Sequence, residues 1–95
     1  MRIIAICARN IEEYHKGAEH VMPGMSRYHQ VTFKKVGLDY VGEKFKIVPA
    51  LQVAHVRGLE DFQLIKFGSY EENPEYEKIQ ELYDKDVERR KGKQV

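Results

Sequence analysis

The segment Arg2-Ile3-Ile4-Ala5-Ile6-Cys7-Ala8 limits the fold more than any other part of the chain. After Arg2 it is apolar without a break, it is β-branched at its centre, and it has no helical alternation of polar and apolar faces. Such a run reads as a strand covered on both faces, the usual situation in a parallel sheet. Helices must then supply the covering layers. Asn10 stands where an N-cap belongs, and Glu12 and Glu13 fall in the first turn, where acids favour the helix dipole. Ile11, Tyr14, His15, Ala18 and Val21 share one helical face, and Pro23-Gly24 is expected to end that helix. Gly17, in mid-helix, weighs against it by about 1 kcal/mol relative to alanine.

From Arg27 the spacing changes to two, with His29, Val31 and Phe33 pointing one way, which predicts a half-exposed strand. Gly37, Asp39 and Gly42 supply turns, and Glu43 to Val48 alternates again up to Pro49, so a β-hairpin or two neighbouring strands is expected. Leu51 to Val56 is apolar without a decisive period and is read as a short strand, Arg57 to Asp61 as a loop, and Phe62 to Phe67 as the last strand. Asn73-Pro74 is a strong helix start. Tyr76, Ile79, Leu82, Tyr83 and Val87 then recur at helical spacing, with Glu81–Lys85 and Asp86–Arg90 as favourable pairs. Gly92 to Val95 is expected to fray. The order describes one α/β domain over residues 1–95: a small sheet of four to five strands, with a β-hairpin and two helices packed on it.

The closing segment Val56-Arg57-Gly58-Leu59-Glu60-Asp61-Phe62-Gln63-Leu64-Ile65-Lys66-Phe67-Gly68-Ser69-Tyr70, taken with Met1 to Asn10, resembles the small uncharacterised α/β proteins of tailed phages. Those proteins run strand, Ala-Arg-Asn, helix, middle strand, Arg-Gly-Leu loop, a last strand ending in glycine, then helix. The resemblance covers about half of the chain and departs from the pattern over Val36 to Val48. It implies a Rossmann-like sheet and a phage or mobile-element origin, and it implies no activity.

Composition narrows the function classes. With 95 residues, 42% hydrophobic and 33% charged, and a net charge of +1, the chain has the make-up of a globular domain. No apolar run reaches the roughly 18 residues of a membrane span, so no membrane partner is expected. The N-terminus lacks a signal-peptide pattern and Cys7 has no second cysteine to pair with, which together suggest a cytoplasmic protein. A lone cysteine also excludes cysteine-based zinc and iron–sulfur frameworks. Within an apolar strand it reads as an inert thiol. His15 and Glu19 are one turn apart without a third ligand, so His15 reads as a packed histidine and no metal is assigned. His29 and His55 could meet across the sheet. Ser26 and Ser69 lack a nucleophile-elbow context. Neither a P-loop nor a G-x-G-x-x-G fingerprint occurs, and no cofactor is assigned.

Two kinds of site remain. In open α/β sheets ligands bind beyond the carboxyl ends of the strands. Arg9, Asn10, Gly68, Ser69 and Tyr70 occupy those ends and could bind a nucleotide-like anion, or could simply be caps and turns. The second is surface charge. Residues 27–46 carry Arg27, Lys34, Lys35, Lys44 and Lys46 against two acids, and residues 59–88 carry ten acids against three bases. Tyr28, Phe33, Tyr40 and Phe45 lie among the bases, which suggests nucleic-acid stacking, or a lysine-defended edge strand. Glu75, Glu77 and Glu81 offer an acidic helix face. The favoured reading is a non-enzymatic interaction protein, a phage accessory factor contacting a host or defence protein through the lysine-bearing hairpin or the acidic helix. A binder or hydrolase of an anionic small molecule and a nucleic-acid-binding module are the alternatives. A second copy of the chain is a further candidate partner.

Overall fold

A computed structural model describes residues 1–92. The elements are β1 (Arg2–Cys7), α1 (Ile11–His29), β2 (Lys34–Val36), β3 (Asp39–Val41), β4 (Phe45–Pro49), α2 (Val53–Val56), β5 (Phe62–Lys66) and α3 (Tyr76–Gly92), with a 3₁₀ turn at Tyr70–Glu72. The sheet order is β2-β3-β4-β1-β5. β1 lies at the centre of a parallel trio, paired with β4 from Arg2↔Phe45 and with β5 from Ile3↔Phe62. β2, β3 and β4 form an antiparallel meander on one flank. The fold is thus a small α/β sheet of five strands whose outer edge is the β2–β3 hairpin; Asp39, expected in a turn, lies within β3, and the stretch up to Val48 adds a third antiparallel strand, β4.

β1 is covered on both faces. Ile4, Ile6 and Ala8 pack with Tyr14 and Ala18 of α1 and with Tyr40 and Ile47. Ala5 and Cys7 face the other way, into a core with Val48, Val56, Phe62 and Ile79 of α3. Alternate residues of one strand therefore serve two cores, and this is why the run has no polar face. Gly17 is explained by this packing. A Cβ there would lie 3.0 Å from Phe67 Cγ and 3.2 Å from Ile6 Cγ2, so glycine lets α1 approach the sheet.

Three further expectations are corrected. Pro23-Gly24 does not end α1, which continues to His29 and absorbs the start of the period-two stretch. Proline in a helix interior costs about 3 kcal/mol, and Val21, Met22 and Met25, packed against the core on either side of it, offset that cost. Val31 and Phe33 do turn inward, from an irregular backbone that follows the left-handed Gln30 (φ 54°); strand geometry begins only at Lys34. Leu51 to Val56 contains no strand. It bends into α2, closed by Arg57 N donating to Val53 O at 2.9 Å, because the chain must leave β4 and cross β1 to reach β5.

The expected Asp86–Arg90 pair is present, and Asp86 proves to be the buried centre of a larger cluster. It is 2% exposed. Its Oδ1 accepts from the Asp61 amide at 3.1 Å and from Arg89 at 3.3 Å, and its Oδ2 lies 3.3 Å from Arg90 Nε. Arg90 also donates to Phe62 O at 3.3 Å. α3 thereby holds the start of the edge strand β5, where Asp61 adopts φ 53°. The Glu81–Lys85 pair is present at 3.9 Å on the solvent side. Of the segment expected to fray, Gly92 closes α3, and residues 93–95 lie outside the described residues. No helix among the described residues is long and apolar enough to cross a membrane.

Candidate functional site

β1 and β5 end side by side, held together by Phe67 N donating to Cys7 O at 3.0 Å. The residues singled out at these ends therefore meet. Asn10 caps α1, its Oδ1 accepting from Glu13 N at 3.0 Å. That bond sets the first turn of α1 and aims the Glu13 carboxylate back into the crevice. Glu13 Oε2 accepts from Arg9 N and Oε1 from Ser69 N, each at 3.2 Å. The Arg9 guanidinium lies 3.7 Å from Glu13 and 3.3 Å from Glu72.

The crevice is thus built to hold an anion, and the anion is the protein's own. Gly68 is needed for this arrangement. It has φ 62°, and a Cβ on it would come within 2.7 Å of Glu13 Oε1. Tyr70, the fifth residue of the expected set, points elsewhere: its ring packs on Tyr76 at 5.1 Å, with Lys66 over both rings.

The neighbouring crevice, between β1 and β4, is closed by Asn73. Its Nδ2 donates to Ala8 O at 2.8 Å and Leu51 O at 3.0 Å, while its Oδ1 accepts from Glu75 N at 2.9 Å. The Asn-Pro pair marks a helix start in the sequence, and the side chain does cap that start. The two bonds that tie the ends of β1 and β4 had no local signature. Glu13 was equally hidden, since a first-turn acid usually answers the dipole of its own helix.

The other chemistry-bearing residues have structural partners. Cys7 is fully buried, and burial pushes its thiol up to about 11, with Lys66 pulling weakly the other way. His15 Nδ1 lies 2.7 Å from Tyr40 Oη, the packed position expected of it. His29 stacks on Phe45 at 5.1 Å, and His55 Nδ1 accepts from Leu51 N at 3.1 Å. Among the described residues no group of three metal-ligating side chains converges.

The charged surfaces are less uniform than their composition. Lys34 and Lys35 are exposed on β2, next to exposed Val36 and Leu38, and Lys44 is exposed before β4. Lys46 is held by Asp39 at 3.5 Å. Of the interleaved aromatics, Tyr40 and Phe45 are buried and Phe33 is half-buried, which leaves Tyr28 as the exposed one. On the acidic side Glu77 and Glu81 are exposed, whereas Glu75 is half-buried and accepts from Val53 N at 3.3 Å at the start of α2. No known protein family, curated protein or solved structure matches the chain.

Proposed function

We propose that this chain is a non-enzymatic interaction protein whose contact surface is the β2–β3 hairpin. The observation that carries the reading is the Glu13 carboxylate on the amides of Arg9 and Ser69. An incoming phosphate would have to displace a covalently tethered anion that already holds both donors, which counts against an anion-processing site at the strand ends.

The hairpin offers what a protein contact needs. Lys34 and Lys35 stand beside two exposed apolar side chains, Val36 at 54% and Leu38 at 45% exposure. The tip is held firmly, since Tyr14 Oη donates to Leu38 O. A small apolar patch next to two cations suits a protein surface with an apolar pocket and neighbouring acids. With the aromatics that could stack bases turned largely inward, nucleic acid is the weaker alternative. On the resemblance of residues 1–10 and 56–70 to tailed-phage proteins, the partner is a host or defence protein and the chain a phage accessory factor.

The test is quantitative capture from cells with wild type, Lys34→Glu/Lys35→Glu/Leu38→Ser and Arg9→Ala, each checked for cooperative melting. Loss of the same enriched protein with the hairpin variant and its retention with Arg9→Ala are expected. Retention with the hairpin variant, or a native-mass-spectrometry adduct of a nucleotide lost on Arg9→Ala, would overturn the reading.

A further inference from the structure

α1 has 19 residues, which at the usual helical rise is about 28 Å. β1 has six, about 20 Å of strand. The helix therefore overruns the amino end of the sheet, and its second half covers a gap. Val21 and Met25 hang over this gap only half-buried. Ile4, Ile65 and Phe45 form its floor, and the cleft they enclose has a volume of ≈ 580 Å³. A second cleft of ≈ 940 Å³ adjoins it, sharing Arg2, His29 and Phe45. Each lies within the roughly 300–1,000 Å³ that accommodates a small ligand.

The charges around the mouth differ in how they are engaged. Arg90 is taken up by Asp86 and Phe62 O, and at 3.8 Å it also balances Asp61. Arg2, which lines both clefts, and Lys44, which lines only the larger one, are exposed, and neither side chain forms an ion pair with a described residue. The mouth therefore has uncommitted positive charge above an apolar floor. We infer that this cleft binds a free monocarboxylate with an alkyl or aryl body, the body between α1 and the sheet and the carboxylate on Arg2. A guanidinium matches the carboxylate fork. A doubly charged phosphate would also face Glu43 and Asp61 on the rim, which favours the singly charged head. The site is at the opposite end of the sheet from Glu13 and is independent of the hairpin reading.

Octanoate is the probe, 1-octanol its uncharged counterpart, and titration calorimetry with amide chemical-shift mapping the readout. Saturable one-to-one binding is expected, with shifts centred on Val21, Met25 and Ile65 and octanoate favoured by about tenfold, the scale of one charge-assisted hydrogen bond. Arg2→Gln should remove that preference and leave octanol binding unchanged. Val21→Trp, which fills the cleft, should abolish both; if it melts without cooperativity, Met25→Phe replaces it. The wild-type shift map decides in either case. Equal affinity for acid and alcohol, shifts centred on Arg9 and Ser69, or no saturation at millimolar octanoate would each overturn the proposal. So would sedimentation with phosphatidylglycerol vesicles without binding of free octanoate, which would make the patch a membrane-surface contact.

Discussion

The two ends of the parallel trio are finished in opposite ways. At the carboxyl ends Glu13 and Asn73 reach into the two crevices and bind the backbone groups exposed there. At the amino ends α1 passes beyond the sheet and leaves a cleft of ≈ 580 Å³ with an apolar floor. The contrast follows from what each end must satisfy. Carboxyl ends present orphan amides and carbonyls beside a helix start, and a buried polar group without a partner costs about 1–3 kcal/mol. At the amino ends the facing surfaces are apolar, with Ile4, Phe45 and Ile65 on the sheet side and Val21 and Met25 on α1, and leaving them partly uncovered forgoes some burial without stranding a polar group. The fold has closed the end where ligands commonly bind in open α/β sheets and left the other open.

The strongest challenge to that comparison is Asn73→Ala. It removes three hydrogen bonds at a residue 5% exposed, and a loss of about 2–3 kcal/mol is expected from the unpaired Ala8 and Leu51 carbonyls. An unchanged midpoint in urea would mean that water replaces the side chain and that the end is not closed. Gly68→Ala comes next, at about 1–2 kcal/mol, from its positive φ and from the clash with Glu13 Oε1. Combining it with Glu13→Ala should return only the part due to the clash, and a double-mutant cycle measures that part.

Glu13→Gln should cost about 1–2 kcal/mol, because the one amide oxygen keeps a weakened bond to one backbone N–H while the amide nitrogen cannot accept from the other. It should also let inorganic phosphate raise the melting temperature where wild type shows no response. A wild-type response of equal size would show that the carboxylate does not block the crevice. The smallest effect belongs to the open end. Val21→Leu, with room beneath the helix, should stay within about 0.5 kcal/mol of wild type, whereas overpacking a filled core costs about 1–3 kcal/mol. A loss in that upper range would mean the cleft closes in solution.

Local chemistry was enough for β1, β5 and the start of α3, because an unbroken apolar run, a short run ending at glycine and an Asn-Pro pair each restrict the backbone within a few residues. The meeting of Arg9 and Asn10 with Gly68 and Ser69 was also legible, since parallel strands with helical crossovers bring their ends together. The course of the chain through Pro23 was not, because Met22 and Met25 draw their stabilisation from a sheet that no local window contains. α2 was missed for a similar reason: its six-residue apolar segment takes the shape its crossover requires.

Alternation and capping in the sequence by themselves determined an α/β sheet with a doubly covered first strand, and a set of polar residues at its carboxyl end. Only the tertiary structure decided what fills that end. Glu13 and Ser69 are 56 residues apart, and Asn73 and Ala8 are 65 apart. A hydrogen bond over that distance along the chain depends on strand order, and strand order is set by the packing of both layers at once.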